Sequence, residues 1–257
     1  MGVANDTRSP LKARPLRNPG QSLEEQLRDT ISDLVFGPVL FAVCVASIAA
    51  AECWRYYHPA PVAPVLYSVV AIGAVAYADY RVVRVLPQIR ALKLGRDGEK
   101  AIGQFLESLR EKGFRVFHDV VGDRFNVDHV LIGPAGIFTI ETKTHSKPLR
   151  GRAKIEYDGE RILLNGCAPD RDPVVQAKAQ ASWLCELLSN STGRKFDIRP
   201  VIVYPGWFIE RNGVAAGPVH VLNPRRLPEF LEREPARLSR EDVHLASFHL
   251  SRFIRTS

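Results

Sequence analysis

The sequence predicts an α/β fold with a central mixed β-sheet flanked by helices, preceded by a two-helix transmembrane hairpin. Three observations predict it. Residues 34–51 and 60–78 carry no charge at all. Beyond residue 95, short runs rich in β-branched and aromatic residues alternate with segments of helical periodicity. The last apolar run, "IRPVIVYPG", follows a helical segment, so a crossover reaches it and it can lie parallel to its neighbour.

Residues 1–30, with "RSPLKARPLRNPG", combine Pro, Gly and charge without apolar periodicity. They read as a mostly disordered cytoplasmic tail with room for an interfacial helix near residues 22–29. Residues 31–80 then form the hairpin, because each uncharged stretch is close to the ~20 residues that span a ~30 Å hydrocarbon core. A pair of buried soluble helices is the alternative, but such helices carry a polar stripe, and neither stretch has one. Trp54, Tyr56 and Tyr57 in the connecting "ECWRYYHP" suit the headgroup zone.

Arg8, Lys12, Arg14, Arg17 and Arg28 precede the first stretch, and Arg81, Arg84, Arg90 and Lys93 follow the second. The positive-inside tendency therefore places both termini in the cytoplasm, at a cell membrane crossed twice. A cleaved signal peptide fits poorly, since the first stretch begins about thirty residues in and a second follows at once. Residues 81–94 read as a basic linker, and residues 95–257 as one folded domain.

Within that domain, Ala101, Ile102, Phe105, Leu106 and Leu109 fall at helical spacing, predicting a helix over 97–112 that stops at Gly113. "FRVFHDVV", "NVDHVLIG" and "GIFTIETK" read as three strands, the last two a hairpin through residues 133–136. A second hairpin turns at Asp158-Gly159. Asp172-Pro173 reads as an N-cap with Pro at the first helical position, opening a helix whose Val175, Ala179, Leu184, Leu187 and Leu188 are expected to face the core. Two helices close the chain, the last with a capping box from Ser239 to Asp242.

The net charge of +7 permits an anionic partner, nucleic acid or a lipid surface, without requiring one. The four cysteines form no C-x-x-C pair, which argues against a zinc site or a disulfide framework.

The chemistry gathers on the first hairpin. Glu141 and Lys143 lie two apart on a strand and share a face. If the strands pair through residues 133–136, the start of the first, with Asp128, lies beside the end of the second, with Glu141. Two carboxylates among apolar strands repel and lose hydration unless a cation compensates them. A divalent ion with hard oxygen ligands is the simplest compensation, and Mg²⁺ suits so sparse a site. Such an ion, with a lysine beside it, points to phosphodiester hydrolysis. An exposed Asp128 on an edge strand, with an ordinary Glu141–Lys143 surface pair, would give the same spacing. His118, His129 and His145 read as packing or surface residues, with His129 pointing away from Asp128. Trp183 and Trp207 read as core aromatics.

Asp128, a hairpin turn, then Glu141-Thr142-Lys143 resembles the D…(D/E)-x-K signature of the PD-(D/E)XK nuclease superfamily, with Val127 where the fuller signature has Pro. More closely, "GRDGEKAIGQFL", "NVDHVLIGPAGIFTIETKTH" and "DPVVQAKAQASWL" together resemble the nuclease-related domain family, NERD, over roughly residues 95–204. The resemblance implies a restriction-endonuclease-like fold and a metal-dependent nuclease using Mg²⁺, with Mn²⁺ possible. In it Asp128 and Glu141 are metal ligands, Lys143 is the catalytic lysine, Glu99 completes the acidic site and Gln176 is a helix glutamine near it. Nucleic acid is the implied partner, DNA favoured and RNA possible, alongside the lipid bilayer. Glu99 also has a structural reading, as a carboxylate favoured by the dipole in the first turn of its helix.

Two other functions fit the same sequence. One is a nuclease-like binding module that holds nucleic acid or a protein partner at the membrane. The other is an oligomerising hairpin packed through Gly73, Ala74 and Ala76.

Overall fold

The computed structural model describes residues 16–58, 64–122, 125–148, 152–211 and 217–256. The chain divides into two compact units, one of residues 22–96 and one of residues 97–257 together with the chain up to residue 21. Residues 1–15 of the expected tail lie outside the described residues.

The smaller unit is helical. Helix α1 (Gln21–Ile31) occupies the place of the expected interfacial helix. A π-helical turn (Ser32–Phe36) runs without a break into α2 (Gly37–Tyr57), and Pro38, which has no N–H to donate to the preceding turn, follows directly on it. Among the described residues, α2 is the one helix long and apolar enough to cross a membrane, by length and composition. Its Leu40, Phe41, Val43 and Ile48 are exposed. The second expected span begins outside the described residues, and its described part opens α3 (Pro64–Glu107).

Residues 81–94, the expected basic linker, are helical, and the helix continues through Pro87. The helix expected to begin at residue 97 is instead the end of α3, followed by a 3₁₀ turn over Ser108–Lys112 that Gly113 ends at φ 86°. Gly95 and Gly98 lie inside α3, where each glycine costs only about 1 kcal/mol and packing overrides it. Glu99 is therefore mid-helix, and the helix-dipole reading of it falls.

The larger unit is a mixed five-stranded sheet in the order β1-β2-β3-β6-β8. Strands β1 (Arg115–Val121), β2 (Asn126–Gly133) and β3 (Gly136–Thr142) run antiparallel. Strands β6 (Ile198–Val203) and β8 (His220–Leu222) add on parallel to β3. The expected hairpin at Asp158-Gly159 forms, as β4 (Lys154–Tyr157) and β5 (Ile162–Leu164), but in a separate sheet with β7 (Phe208–Arg211). Strands β7 and β8 are too short to show a period, so the sequence pattern misses both.

Helices cover both faces of the large sheet. Ile102 and Leu106 of α3 pack with Leu131, Phe138 and Ile140 on one face, joined by α5 (Leu227–Arg233). On the other, Leu184 and Leu188 of α4 (Pro173–Thr192) pack with α6 (Arg240–Thr256) over Val130, Ile132 and Ile137. Val174 and Ala177 of α4 face inward, whereas Val175 and Ala179 are exposed, so the expected inward face was misplaced in the first turns. Asp172 caps α4 as expected, accepting from Val174 N and Val175 N. The Ser239–Asp242 capping box opens α6.

Candidate active site

Strands β2 and β3 are fixed in register by the turn at Gly136, whose φ of 131° suits glycine. Their pairing runs from Gly133↔Gly136 to His129↔Ile140, so the next step opposes Asp128 to Glu141. There the strands part, and the Asp128 side chain takes over from the backbone, its Oδ2 accepting from Thr142 N at 2.7 Å. An antiparallel hairpin alone thus delivers both carboxylates to one end of the sheet.

Glu141 is 3% exposed and surrounded by donors. Its Oε1 lies 2.7 Å from Lys143 Nζ and accepts from Gln176 Nε2 at 2.7 Å. Its Oε2 accepts from Gln180 Nε2 at 2.6 Å. Lys143 Nζ also donates to Gln176 Oε1 at 2.8 Å, closing a triangle of Glu141, Lys143 and Gln176. Gln176 and Gln180 reach the same carboxylate because residues four apart share a helix face, and the Asp172 cap fixes where that helix begins.

Glu99 arrives from α3. A Cβ on Gly98 would collide with Thr144 Oγ1, so the glycine lets α3 close onto the chain leaving β3. Burial first, then the charges of Asp119 and Glu141, push the Glu99 carboxyl up to about 8, against the opposing pull of Lys143. Asp128 is raised well above the usual carboxylate range by burial, then by Glu141 and Glu99, with the Thr142 N–H and Lys143 opposing. The lone lysine does not compensate the carboxylates around it.

The structure adds Asp119, which sequence reading missed. The β1–β2 pairing passes from His118↔His129 to Val120↔Val127, so Asp119 opposes Asp128 between them. One register row therefore carries Asp119, Asp128 and Glu141 across three strands. Asp119 is 2% exposed and left-handed at φ 49°. Arg17 Nε donates to its Oδ2 at 2.7 Å and Asn126 Nδ2 to its Oδ1 at 3.3 Å. Its signal was the one that exposed Asp128, a carboxylate inside an apolar run.

Tyr204, also missed, is fully buried; burial and the charges of Glu141 and Asp172 raise its hydroxyl pKa. His129 Nδ1 lies 2.9 Å from His118 Nδ1, and His118 Nε2 lies 2.7 Å from Glu107 Oε1, so these imidazoles engage one another and α3. His145 stacks on Tyr204. Trp207 is buried, and Trp183 packs on Phe125 and Phe253.

The donors in this row are carboxylate oxygens, the chemistry a hard divalent cation takes. The Glu99 and Asp128 carboxyls are raised by burial first and by neighbouring carboxylates second, and a bound cation would oppose both effects. Among the described residues, however, no three His, Cys, Asp or Glu side chains stand in ligating geometry. Both Glu141 oxygens are engaged by Lys143, Gln176 and Gln180.

The family model of NERD, the nuclease-related domain, matches residues 94–205, which bears out the family resemblance. The chain is also similar to an uncharacterized protein of Bacillus anthracis, 34% identical over 65 residues that make up 23% of this chain and 31% of that protein. The chain thus spans about a third of that relative's length. No solved structure matches the chain.

Proposed function

On the premise that residues 94–205 are a nuclease-related domain, we propose that this protein is a membrane-anchored, Mg²⁺-dependent nuclease. It hydrolyses phosphodiester bonds in nucleic acid, DNA in preference to RNA, on the cytoplasmic side. The observation that carries this reading is the Glu141–Lys143–Gln176 triangle beside Asp128, inside the matched segment.

Asp128 and Glu141 would hold the cation, which when bound polarises a phosphate oxygen and acidifies a water. Lys143, anchored on Glu141 and Gln176, presents a fixed positive charge where the phosphorane gains negative charge. Gln176 holds that ammonium in place. Gln180 keeps Glu141 pointed into the site through Oε2. Anchoring rests on α2, with the stretch from residue 60 as the second span of a hairpin and the flanking arginines and lysines facing the cytoplasm.

The test is incubation of the full chain, in detergent, with labelled DNA and RNA oligonucleotides in Mg²⁺, Mn²⁺ or EDTA. Metal-dependent cleavage, faster on DNA, is expected; intact oligonucleotides in every arm would overturn the reading.

One observation favours a second reading, a nuclease-like module that binds without turnover. Both Glu141 oxygens already have protein partners, as an inactive site would. Salt-dependent oligonucleotide binding without cleavage would select it, because phosphate contacts release counterions.

A further inference from the structure

Asp119 is the one member of the carboxylate row whose cationic partner comes from far along the chain. Arg17 stands 102 residues away in sequence, yet its Nε is 2.7 Å from Asp119 Oδ2, with the carboxylate almost wholly buried beneath it. The contact is seated by packing as well as by charge. A Cβ on Gly103 would collide with the Pro19 ring, so α3 carries a glycine where the segment around Arg17 lies against it. Asp119 itself holds a left-handed backbone, a conformation that costs a non-glycine residue about 1–3 kcal/mol and that surrounding contacts must maintain.

The contacts of Asp119 lead on into the proposed active site. Asn126 donates to Asp119 from Nδ2, and its carbonyl accepts from Gln180 Nε2, which also serves Glu141. Gln180 is 1% exposed and, among the described residues, its buried Oε1 has no hydrogen-bond partner. A buried acceptor on the side chain that also serves Glu141 awaits a donor or a cation. The Asp119 charge also acts on Glu99, on α3.

We propose that Arg17 is a built-in counter-cation: docked on Asp119, it holds the place that a divalent cation takes when the carboxylate row is loaded, and it withdraws on loading. The proposal rests on the nuclease reading of the site and adds its regulation. A guanidinium suits the role because no accessible pH removes its charge and its planar donors match a carboxylate. Displacement then depends on cation concentration and on whatever pulls the Arg17 segment away.

The test is Mn²⁺ binding to the full chain in detergent, followed by the electron paramagnetic resonance signal of free Mn²⁺. Arg17→Gln is expected to bind Mn²⁺ about tenfold tighter than the unaltered chain, and Arg17→Lys close to it. Gly103→Ala, which dislodges Pro19 without touching a charge, is expected to tighten binding in the same direction. Adding Asp119→Asn to Arg17→Gln is expected to cancel the gain. Unchanged or weaker binding by both Arg17→Gln and Gly103→Ala would overturn the proposal, as would no Mn²⁺ binding by any variant. Asp128→Asn separates the two claims. If it binds Mn²⁺ as the unaltered chain does while Arg17→Gln still gains, Arg17 guards a cation at Asp119 and the nuclease reading of the row fails. If Asp128→Asn loses binding and Arg17→Gln gains nothing, the nuclease reading stands without Arg17.

Discussion

Lys143 Nζ lies 2.7 Å from Glu141 Oε1, and Gln176 bonds to both partners, donating to the carboxylate and accepting from the ammonium. The lysine is a quarter exposed, whereas the carboxylate is buried. An ion pair with an exposed partner contributes at most about 1 kcal/mol to stability. A charge fixed at a developing oxyanion is worth roughly 10²–10³ in rate. Lys143→Met is therefore expected to lose at least about a hundredfold in cleavage while its thermal midpoint moves little. A rate loss matched by a collapse in melting temperature would make Lys143 structural.

The Glu99 carboxyl is raised from 4.5 to about 8. Between those values the unfolded chain releases this proton while the folded chain keeps it. The stability that the raised pKa contributes is whole below pH 4.5 and is lost as pH rises through 8, with a slope of up to about 1.4 kcal/mol per pH unit. Asp128, raised in the same direction, adds to the same trend. Urea unfolding at pH 5, 6, 7 and 8 is expected to show stability falling with pH, and Glu99→Gln to flatten the fall. Added Mg²⁺ is expected to flatten it too, since a bound cation favours the ionised carboxylates.

Gln180 is buried and donates to both Glu141 Oε2 and the Asn126 carbonyl. Gln180→Ala leaves a carboxylate oxygen and a carbonyl without that donor, and each such group costs about 1–3 kcal/mol. A loss of about 2–4 kcal/mol in chemical denaturation is expected. Gln176→Ala, at a more open position, is expected to cost less stability and more activity, because it frees Lys143.

Helix α2 is 21 residues long, about 31 Å at 1.5 Å per residue, and matches the hydrocarbon core. The full chain is expected to stay with the membrane fraction through alkaline carbonate and high-salt washes. An Arg pair placed at Phe41 and Ile48, both exposed, is expected to release it, since each charge at mid-bilayer costs about 2.5–3.5 kcal/mol. Release of the unaltered chain by salt alone would contradict anchoring.

Strong local signals were legible in the sequence. The glycine-bounded turn fixed the β2–β3 register, which opposes Asp128 to Glu141, and Asp172-Pro173 marked the start of α4 and so the reach of Gln176. Features that depend on distant packing were not legible. Nothing near Glu99 shows that α3 began at Pro64, and the glycines beside it, Gly95 and Gly98, make room for Leu23 and Thr144. Asp119 stood in plain view within "FHDVV", but its importance comes from strand register and from Arg17, and neither follows from local pattern. Strands β7 and β8 pair only with distant strands.

The most direct test is Mg²⁺-dependent cleavage of plasmid and oligonucleotide DNA by the full chain, set beside Asp128→Asn and Lys143→Met, with all three shown by melting to be folded. Cleavage by the unaltered chain, abolished by EDTA and reduced at least about a hundredfold in both variants, is the expected result. Equal cleavage by all three folded proteins, or none by any of them across metals and substrates, would contradict a nuclease built on Asp128, Glu141 and Lys143.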